Sequence, residues 1–184
     1  MTRLRFVVFL FCTVAVLFAD GHGGTAAATT PEGHAASLTP NLSAIMAGIA
    51  SLSDDARLRR NIAQATFCLP QNILGVFFYA ALQLAGHVEE VEEANEVKVI
   101  VTRLPFGASL GRFLFVGRAI LTDRAVRHEY GHTLQGYRSG PFYLLLEGLV
   151  SFVQAGISLL SPSFAASYFE RWPENDAETL GATL

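Results

Sequence analysis

Apolar residues recur at helical spacing in the first part of the chain that offers side chains to bury. Over residues 41–67 they fall three or four positions apart, and Ser53 and Asp54 are placed to cap a second helix within this stretch. Residues 73–85 are almost wholly apolar but too few to cross a bilayer. This run therefore favours a buried helix.

Two short segments further along have the pattern of β-strands. Residues 97–102 alternate and are β-branched, and residues 113–116 form an apolar run between glycines. The acidic stretch 89–96 matches no calcium loop and is predicted to be a solvated loop or helix end. The glycine-containing link 104–111 lacks the lysine of a phosphate-binding loop, so a turn is predicted there.

A helical pattern returns at residue 122 and continues to Ser139, before Gly140 and Pro141. Residues 142–160 are nearly all apolar, which suggests a membrane helix, but Glu147 and Gln154 would be costly at membrane depth. A buried helix is therefore favoured, with membrane association through residues 142–160 as the alternative. Residues 163–184 predict one or two short helices. These elements define an α+β fold, a mainly helical domain with a small sheet beside the helix at 122–139.

The N-terminus has the features of an export signal. Arg3 and Arg5 precede fourteen mostly apolar residues, 6–19, and this pattern is typical of a signal peptide spanning 1–19, with cleavage as late as residue 28. A retained membrane anchor is the alternative. Residues 20–38 are rich in Gly, Ala and Thr and predict a flexible linker, so the folded domain occupies 39–184. We expect an exported protein, secreted or periplasmic, with membrane association as the other possibility.

Composition narrows the class of partner. Only 16% of the 184 residues are charged, against about 25% in typical soluble chains, and half are apolar, so the chain can build a core. The 13 basic and 16 acidic residues give a net charge of −3 without a Lys/Arg-rich run, which disfavours nucleic acid as a partner. Cys68 is the one cysteine after the predicted signal, in an apolar context that favours a buried, inert thiol.

One motif carries recognisable chemistry: His128-Glu129-Tyr130-Gly131-His132, an instance of His-Glu-x-x-His inside the predicted helix. Helical spacing puts His128 and His132 one turn apart on one face, where both imidazoles reach a single metal ion. Glu129 is offset by about 100°, so it can approach a metal-bound water without binding the metal. Two imidazoles leave positions for a carboxylate and a water, the arrangement of a catalytic zinc ion with Glu129 as general base.

A third metal ligand has to come from another part of the chain, and a downstream carboxylate is the better candidate. Glu147 qualifies because a carboxylate in an apolar helix needs a partner, and a metal is one. A salt bridge to an arginine is its structural alternative. Glu174 stands at the start of a predicted helix, in the segment Trp172-Pro173-Glu174-Asn175-Asp176-Ala177-Glu178.

His-Glu-x-x-His followed by Glu-x-x-Ala-Asp is the pattern of the gluzincin metallopeptidases, and this chain resembles it, with Glu178 in place of the final Asp. Residues 104–181 also look like a group of small bacterial zincin-like proteins. The resemblance implies a zincin-like domain in which Glu174 is the third zinc ligand. It also implies that Glu178, one turn later, supports an imidazole or the helix.

Two functions of different classes follow from these features. The first is an extracytoplasmic peptidase with one zinc ion, which hydrolyses a peptide or protein substrate by a metal-activated water. The second is a zincin-like metal-binding or membrane-associated structural protein without catalysis. If the strand at 113–116 lies at a sheet edge, an extended peptide could pair with it and place its carbonyl over the metal.

Overall fold

The computed structural model describes residues 46–47, 49–51, 53–94 and 97–183. The predicted signal peptide at 1–19 and linker at 20–38 lie outside the described residues. The architecture is α+β, as the sequence predicts, with the elements in this order: α1 (Asp54–Ala65), α2 (Leu69–Leu84), β1 (Val88–Ala94), β2 (Val97–Thr102), β3 (Gly107–Leu110), β4 (Phe113–Gly117), α3 (Asp123–Ser139), α4 (Leu149–Leu160), α5 (Pro162–Ala165) and α6 (Glu174–Gly181).

The four strands form one mixed sheet in the order β1-β2-β4-β3. β1 pairs with β2 and β3 pairs with β4 in antiparallel fashion, whereas β2 and β4 are parallel. The strand predicted at 113–116 is thus in the sheet interior, between β2 and β3. The expectation that a peptide pairs with this strand is therefore wrong, and β3 is the edge on that side.

Two segments predicted as loops or turns are strands. The acidic stretch forms most of β1, because its carboxylates meet cations on neighbouring elements: Glu89 lies 3.4 Å from Arg103 and 3.0 Å from Arg118, and Glu93 lies 3.3 Å from Lys98. Such pairs across a sheet offset the poor strand propensity of glutamate. The glycine-containing link contributes β3, which pairs with β4 as an antiparallel hairpin.

The sheet is covered by helices on both faces. On one face, α3 packs through Val126 and Tyr130 on the odd-numbered valines of β2, together with Ile49 from the start of the described chain. On the other face, α2 contributes Leu82 to a cluster with Ile100, Phe106, Phe113 and Phe115. Successive side chains of β2 point to opposite faces of the sheet and so enter both cores. Nearly all of β2 is therefore buried.

Residues 142–160 form a π-helical turn, Leu144–Gly148, followed by α4, and they do not form a buried helix. None of the twelve residues of α4 is buried, so the prediction of burial is wrong. In α2, only Gln71, Gly75 and Leu82 are buried. Within the described residues no single helix is long and apolar enough to cross a membrane. Two pairs satisfy that test only across bends of 77° and 112°: 54–65 with 69–84, and 123–142 with 144–160.

Candidate metal centre

Helix α3 carries the His-Glu-x-x-His motif and has well-defined ends. The Thr122 side chain accepts a hydrogen bond from the Ala125 amide at 3.1 Å, and Asp123 follows in the first turn. The helix stops at Gly140, whose φ of +57° lies in the left-handed region, directly before Pro141. Between these ends the motif faces inward, with His128, Glu129 and His132 all buried.

Glycines bring α3 and α6 together backbone to backbone. A Cβ at Gly131 would overlap the carbonyl oxygen of Ala177 on α6, and a Cβ at Gly181 would overlap that of Arg127 on α3. Only glycine permits so close an approach. The result is that Glu174, at the start of α6, lies fully buried opposite the two histidines.

Three side chains converge on one point. Glu174 Oε2 lies 3.0 Å from His128 Nε2 and 3.3 Å from His132 Nε2, and the two Nε2 atoms are 3.2 Å apart. A zinc ion with bonds of about 2.0–2.1 Å and tetrahedral angles holds its ligand atoms about 3.3 Å apart. Among the described residues, this buried group of His128, His132 and Glu174 can hold a metal ion.

Two buried carboxylate oxygens in and beside this group of three residues have no hydrogen-bond partner, and such oxygens suit a cation. Glu174 Oε1 is buried without a hydrogen bond, as is Glu129 Oε2. Buried carboxylate oxygens without partners are costly, and a divalent cation between the ligands would offset that cost. The donor set of two imidazoles and one carboxylate suits zinc, and also other divalent metals to differing degrees.

Gln135 fixes the orientation and tautomer of His132. The His132 Nδ1–H donates to Gln135 Oε1 at 2.8 Å, so in the neutral ring the lone pair lies on Nε2, which faces Glu174. The Gln135 amide nitrogen in turn donates to Pro173 O at 2.8 Å and Asp176 Oδ2 at 2.9 Å. Gln135 thereby ties the second histidine to the helix that carries the acid.

Two more carboxylates of α6 hold α3 from outside. Glu178 Oε1 lies 3.0 Å from His128 Nδ1, which is within ion-pair distance, but the two groups do not have the geometry of a hydrogen bond. Glu178 Oε2 accepts a hydrogen bond from Arg124 Nε at 3.1 Å. Asp176 pairs with Arg138, which lowers the pKa of that carboxyl. Glu178 therefore lies beside an imidazole, the position that the resemblance implies for it.

Glu129 lies beside the three converging side chains, against the edge strand. Its carboxylate packs so closely on Gly107, the first residue of β3, that a Cβ there would overlap Oε1. Burial raises the pKa of Glu129, the two histidines oppose that shift, and Glu174 adds to it. A carboxylate with a raised pKa is suited to accept and return a proton near neutral pH.

The electrostatics of the three converging groups are dominated by the facing charges. Burial would raise the pKa of Glu174, but hydrogen bonds from His128 and His132 hold it well below its usual range. Burial lowers the pKa of His132, but the facing Glu174 outweighs this and raises it to about 9. Without a metal, His132 is therefore a protonated imidazolium that faces the ionised carboxylate of Glu174.

Residues from the segment after α3 complete the surroundings. Ser151 of α4 and Tyr168 lie close enough to the Glu174 carboxyl to influence its charge. Burial raises the pKa of Tyr143 well above its ordinary value, and the carboxylates of Glu129 and Glu174 add to this. The polar residues spaced along the apolar stretch, such as Ser151, are the signal that points to an inward polar face.

Glu147, the alternative third ligand, lies outside the His128, His132 and Glu174 group. It is buried and accepts a hydrogen bond from the Ser139 hydroxyl, while its Oε2 has no hydrogen-bond partner. Arg138, a basic residue of the preceding helix that could have formed a salt bridge with Glu147, pairs with Asp176 instead. Cys68 is also buried, and burial raises the pKa of its thiol to about 11.

Comparisons of the chain with protein-family models, with curated proteins and with solved structures found no match.

Proposed function

We propose that this protein is an exported zinc-dependent peptidase. The observation that carries the proposal is the convergence of His128 Nε2, His132 Nε2 and a Glu174 carboxylate oxygen, with Glu129 beside them on the same helix. Three protein ligands leave a fourth position for water, which is the pattern of catalytic rather than structural zinc. The predicted export signal supports action outside the cytoplasm.

Each residue has a defined task in this proposal. His128, His132 and Glu174 bind the ion, and Gln135 keeps His132 in the tautomer that presents Nε2. A zinc ion supplies Lewis acidity and lowers the pKa of a bound water. Glu129 takes the proton of the attacking water and delivers it to the leaving nitrogen of the cleaved peptide bond.

The edge strand suggests where a peptide lies. β3 is the sheet edge nearest to Glu129, and its first residues, Gly107 and Ala108, are exposed or half-buried. An extended peptide that adds to this edge by backbone hydrogen bonds passes beside the Glu129 carboxylate. This replaces the interior strand β4 as the proposed pairing partner.

The experiment is metal analysis of the purified protein, paired with Glu174→Ala. About one zinc per chain, lost in this variant, is the expected result. Glu170→Ala is the matched control, because Glu170 is an exposed carboxylate outside the metal-binding group, and it should keep the metal. A folded protein without bound metal would refute the peptidase proposal.

A second function has one observation in its favour: the three ligands are all less than a tenth exposed, as in closed structural metal sites. In that case the ion would only join α3 to α6. The Glu129→Gln variant separates the two functions, because a structural site needs no base. Hydrolysis of a peptide library by the wild type but not by this variant supports the peptidase.

A further inference from the structure

The segment from Pro141 to Leu160 has its polarity inverted relative to a helix of a protein surrounded by water. Every exposed residue in it is apolar, and Leu145 and Leu160 are 68% and 87% exposed. Its polar residues Glu147, Ser151, Gln154 and Ser158 are instead buried or half-buried. A surface helix in water shows the opposite arrangement. We define the outer apolar face by its six most exposed members after Pro141: Phe142, Leu145, Leu146, Leu149, Val153 and Leu160.

The inward polar groups of this segment are used by the protein. Gln154 Nε2 donates to Trp172 O at 2.8 Å, and Ser151 lies beside Glu174. The rotation of the helix is therefore fixed by polar contacts with the rest of the domain. The outer apolar face has no hydrogen-bonding side chain of its own.

Helix α2 also has an exposed apolar surface. Its Gln71 is fully buried and donates to Gly140 O at 2.7 Å, while Ile73, Val76 and Phe77 are exposed. Phe67, just before α2, is exposed and lies close to Gly140, two residues before Phe142. The apolar surfaces of α2 and of the 142–160 segment therefore adjoin at this point.

The occupant that fits this surface is lipid. Inward polar and outward apolar residues are the arrangement of helices in contact with hydrocarbon. Protein–protein interfaces carry about one hydrogen bond per 100–200 Å², which a face of Leu, Val and Phe side chains cannot supply.

Aromatic and basic residues border the outer apolar face. Trp172 and Phe169 are about half exposed, and Trp172 O is the partner of Gln154 on α4. The Arg171 guanidinium lies 4.2 Å from the Phe164 ring, just beyond the end of α4. Trp residues and cations are enriched where a protein meets the headgroup layer.

We propose that the outer apolar face docks into one leaflet of a phospholipid bilayer, with the segment 142–160 lying along the membrane plane. The segment inserts its apolar side chains among acyl chains, while the edge strand β1 stays in water. This docking needs neither a bound metal nor peptidase activity, so it stands apart from the proposed function.

The test locates one residue of the outer apolar face in lipid. Leu149→Cys is prepared in a Cys12→Ser background and labelled with an environment-sensitive fluorophore, since the remaining Cys68 is buried. The full chain is mixed with vesicles of phosphatidylcholine and phosphatidylglycerol whose acyl chains are brominated. We expect severalfold stronger quenching of this label than of one at Val91→Cys on β1, which is the matched exposed control.

The position of the label makes the outcome independent of the N-terminal apolar run, which is the same in both variants. Equal quenching at both positions would overturn the proposal. So would a Leu149→Cys label that becomes buried with rising protein concentration in the absence of vesicles, because a second copy would then cover the face.

A second measurement uses flotation of the processed chain, which lacks the predicted signal. Leu145→Gln with Leu149→Gln should lower vesicle binding at least about tenfold, because the double variant loses the apolar surface that the leucines would bury in lipid. Val91→Gln with Ile120→Gln removes two exposed apolar residues elsewhere and should leave binding unchanged. Equal losses in the two double variants, each folded by circular dichroism, would overturn the proposal.

Discussion

Helices α3 and α4 reverse the usual relation between hydrophobicity and burial. Nine of the seventeen residues of α3 are buried, and five of these are the polar or charged His128, Glu129, His132, Thr133 and Gln135. None of the twelve residues of α4 is buried, although eight of them are apolar and one is glycine. In these two helices, burial therefore follows the polar contacts around the candidate metal centre and leaves the most apolar helix at the surface.

The two helices differ in burial because neighbouring elements approach α3 more closely than α4. At Gly131 of α3 the backbone of α6 leaves no room for a side chain, whereas at Gly156 of α4 there is open space. Close approach lets α6 supply Glu174, Asp176 and Glu178 to one side of α3. α4 makes its polar contacts through Ser151 and Gln154 only on its inner side.

The largest expected effect separates the tasks of the two helices. Glu129→Gln on α3 should lower kcat/KM for peptide hydrolysis by about 10²–10⁴-fold, because the attacking water loses its base, while zinc content stays at about one per chain. The Leu145→Gln, Leu149→Gln variant should keep both zinc and hydrolysis of a short soluble peptide. Full activity of Glu129→Gln would end the assignment of chemistry to α3.

Matched glycine variants test the packing difference directly. Gly131→Ala should lower the free energy of unfolding by about 1–3 kcal/mol, because the new Cβ overlaps the Ala177 carbonyl. Gly156→Ala should raise it by up to about 1 kcal/mol, since alanine has the higher helix propensity and meets nothing. Urea denaturation of both metal-free variants measures the difference, and a loss in Gly156→Ala as large as that in Gly131→Ala would contradict it.

Two glutamines provide the next comparison. Gln135→Leu should weaken zinc binding about 10–100-fold, because His132 loses the acceptor that fixes its ring. Gln154→Leu removes a hydrogen bond to Trp172 O without touching a ligand and should have a much smaller effect. Zinc competition with a chromogenic chelator gives both constants. Similar losses would show that Gln135 acts only through general stability.

The smallest expected effect concerns pH. With a pKa of about 9 against 6.5 for the ordinary imidazole, protonated His132 stabilises the metal-free fold fully below pH 6.5, and this contribution disappears as the pH rises through about 9. Glu174, with its lowered pKa, contributes above its usual value of 4.5 and loses its contribution in acid. The Tm of the chelated protein should therefore fall by a few degrees between pH 6.5 and 9.5.

Glu174→Gln is the control for this titration, because it removes the carboxylate that holds the proton on His132. Its Tm should change less over the same pH range. Zinc-loaded protein should also show the smaller change, since the metal takes the place of that proton. A wild-type Tm that is flat from pH 6.5 to 9.5 in chelator would contradict the assignment.

The sequence predicts the parts of this structure in which local pattern and tertiary environment agree. The helix at 122–139, its ends, strand β2 and the α+β class follow from periodicity and capping. β1 does not, because its glutamates are stabilised by basic residues up to 29 positions away in the chain. The interior position of β4 depends on strand order, which no local pattern contains.

The candidate metal centre can likewise be predicted only in part from local sequence patterns. His128 and His132 are placed by helical spacing alone, whereas the position of Glu174 needs the approach of two helices through Gly131 and Gly181. Gln135 is three residues from His132, so its contact is local, but its link to Asp176 is not. The exposure of residues 142–160 does not follow from the sequence, because a run of apolar residues predicts burial in a protein surrounded by water.

The three converging ligands come from both sides of the 142–160 segment, since His132 precedes it and Glu174 follows it. A metal ion bound to both would join two residues 42 positions apart, as a disulfide does, and would restrict the unfolded chain between them. The ion would then act as a removable cross-link. Chelation would release the C-terminal helix and the intervening segment together, so that metal supply would set how firmly one third of the domain is held.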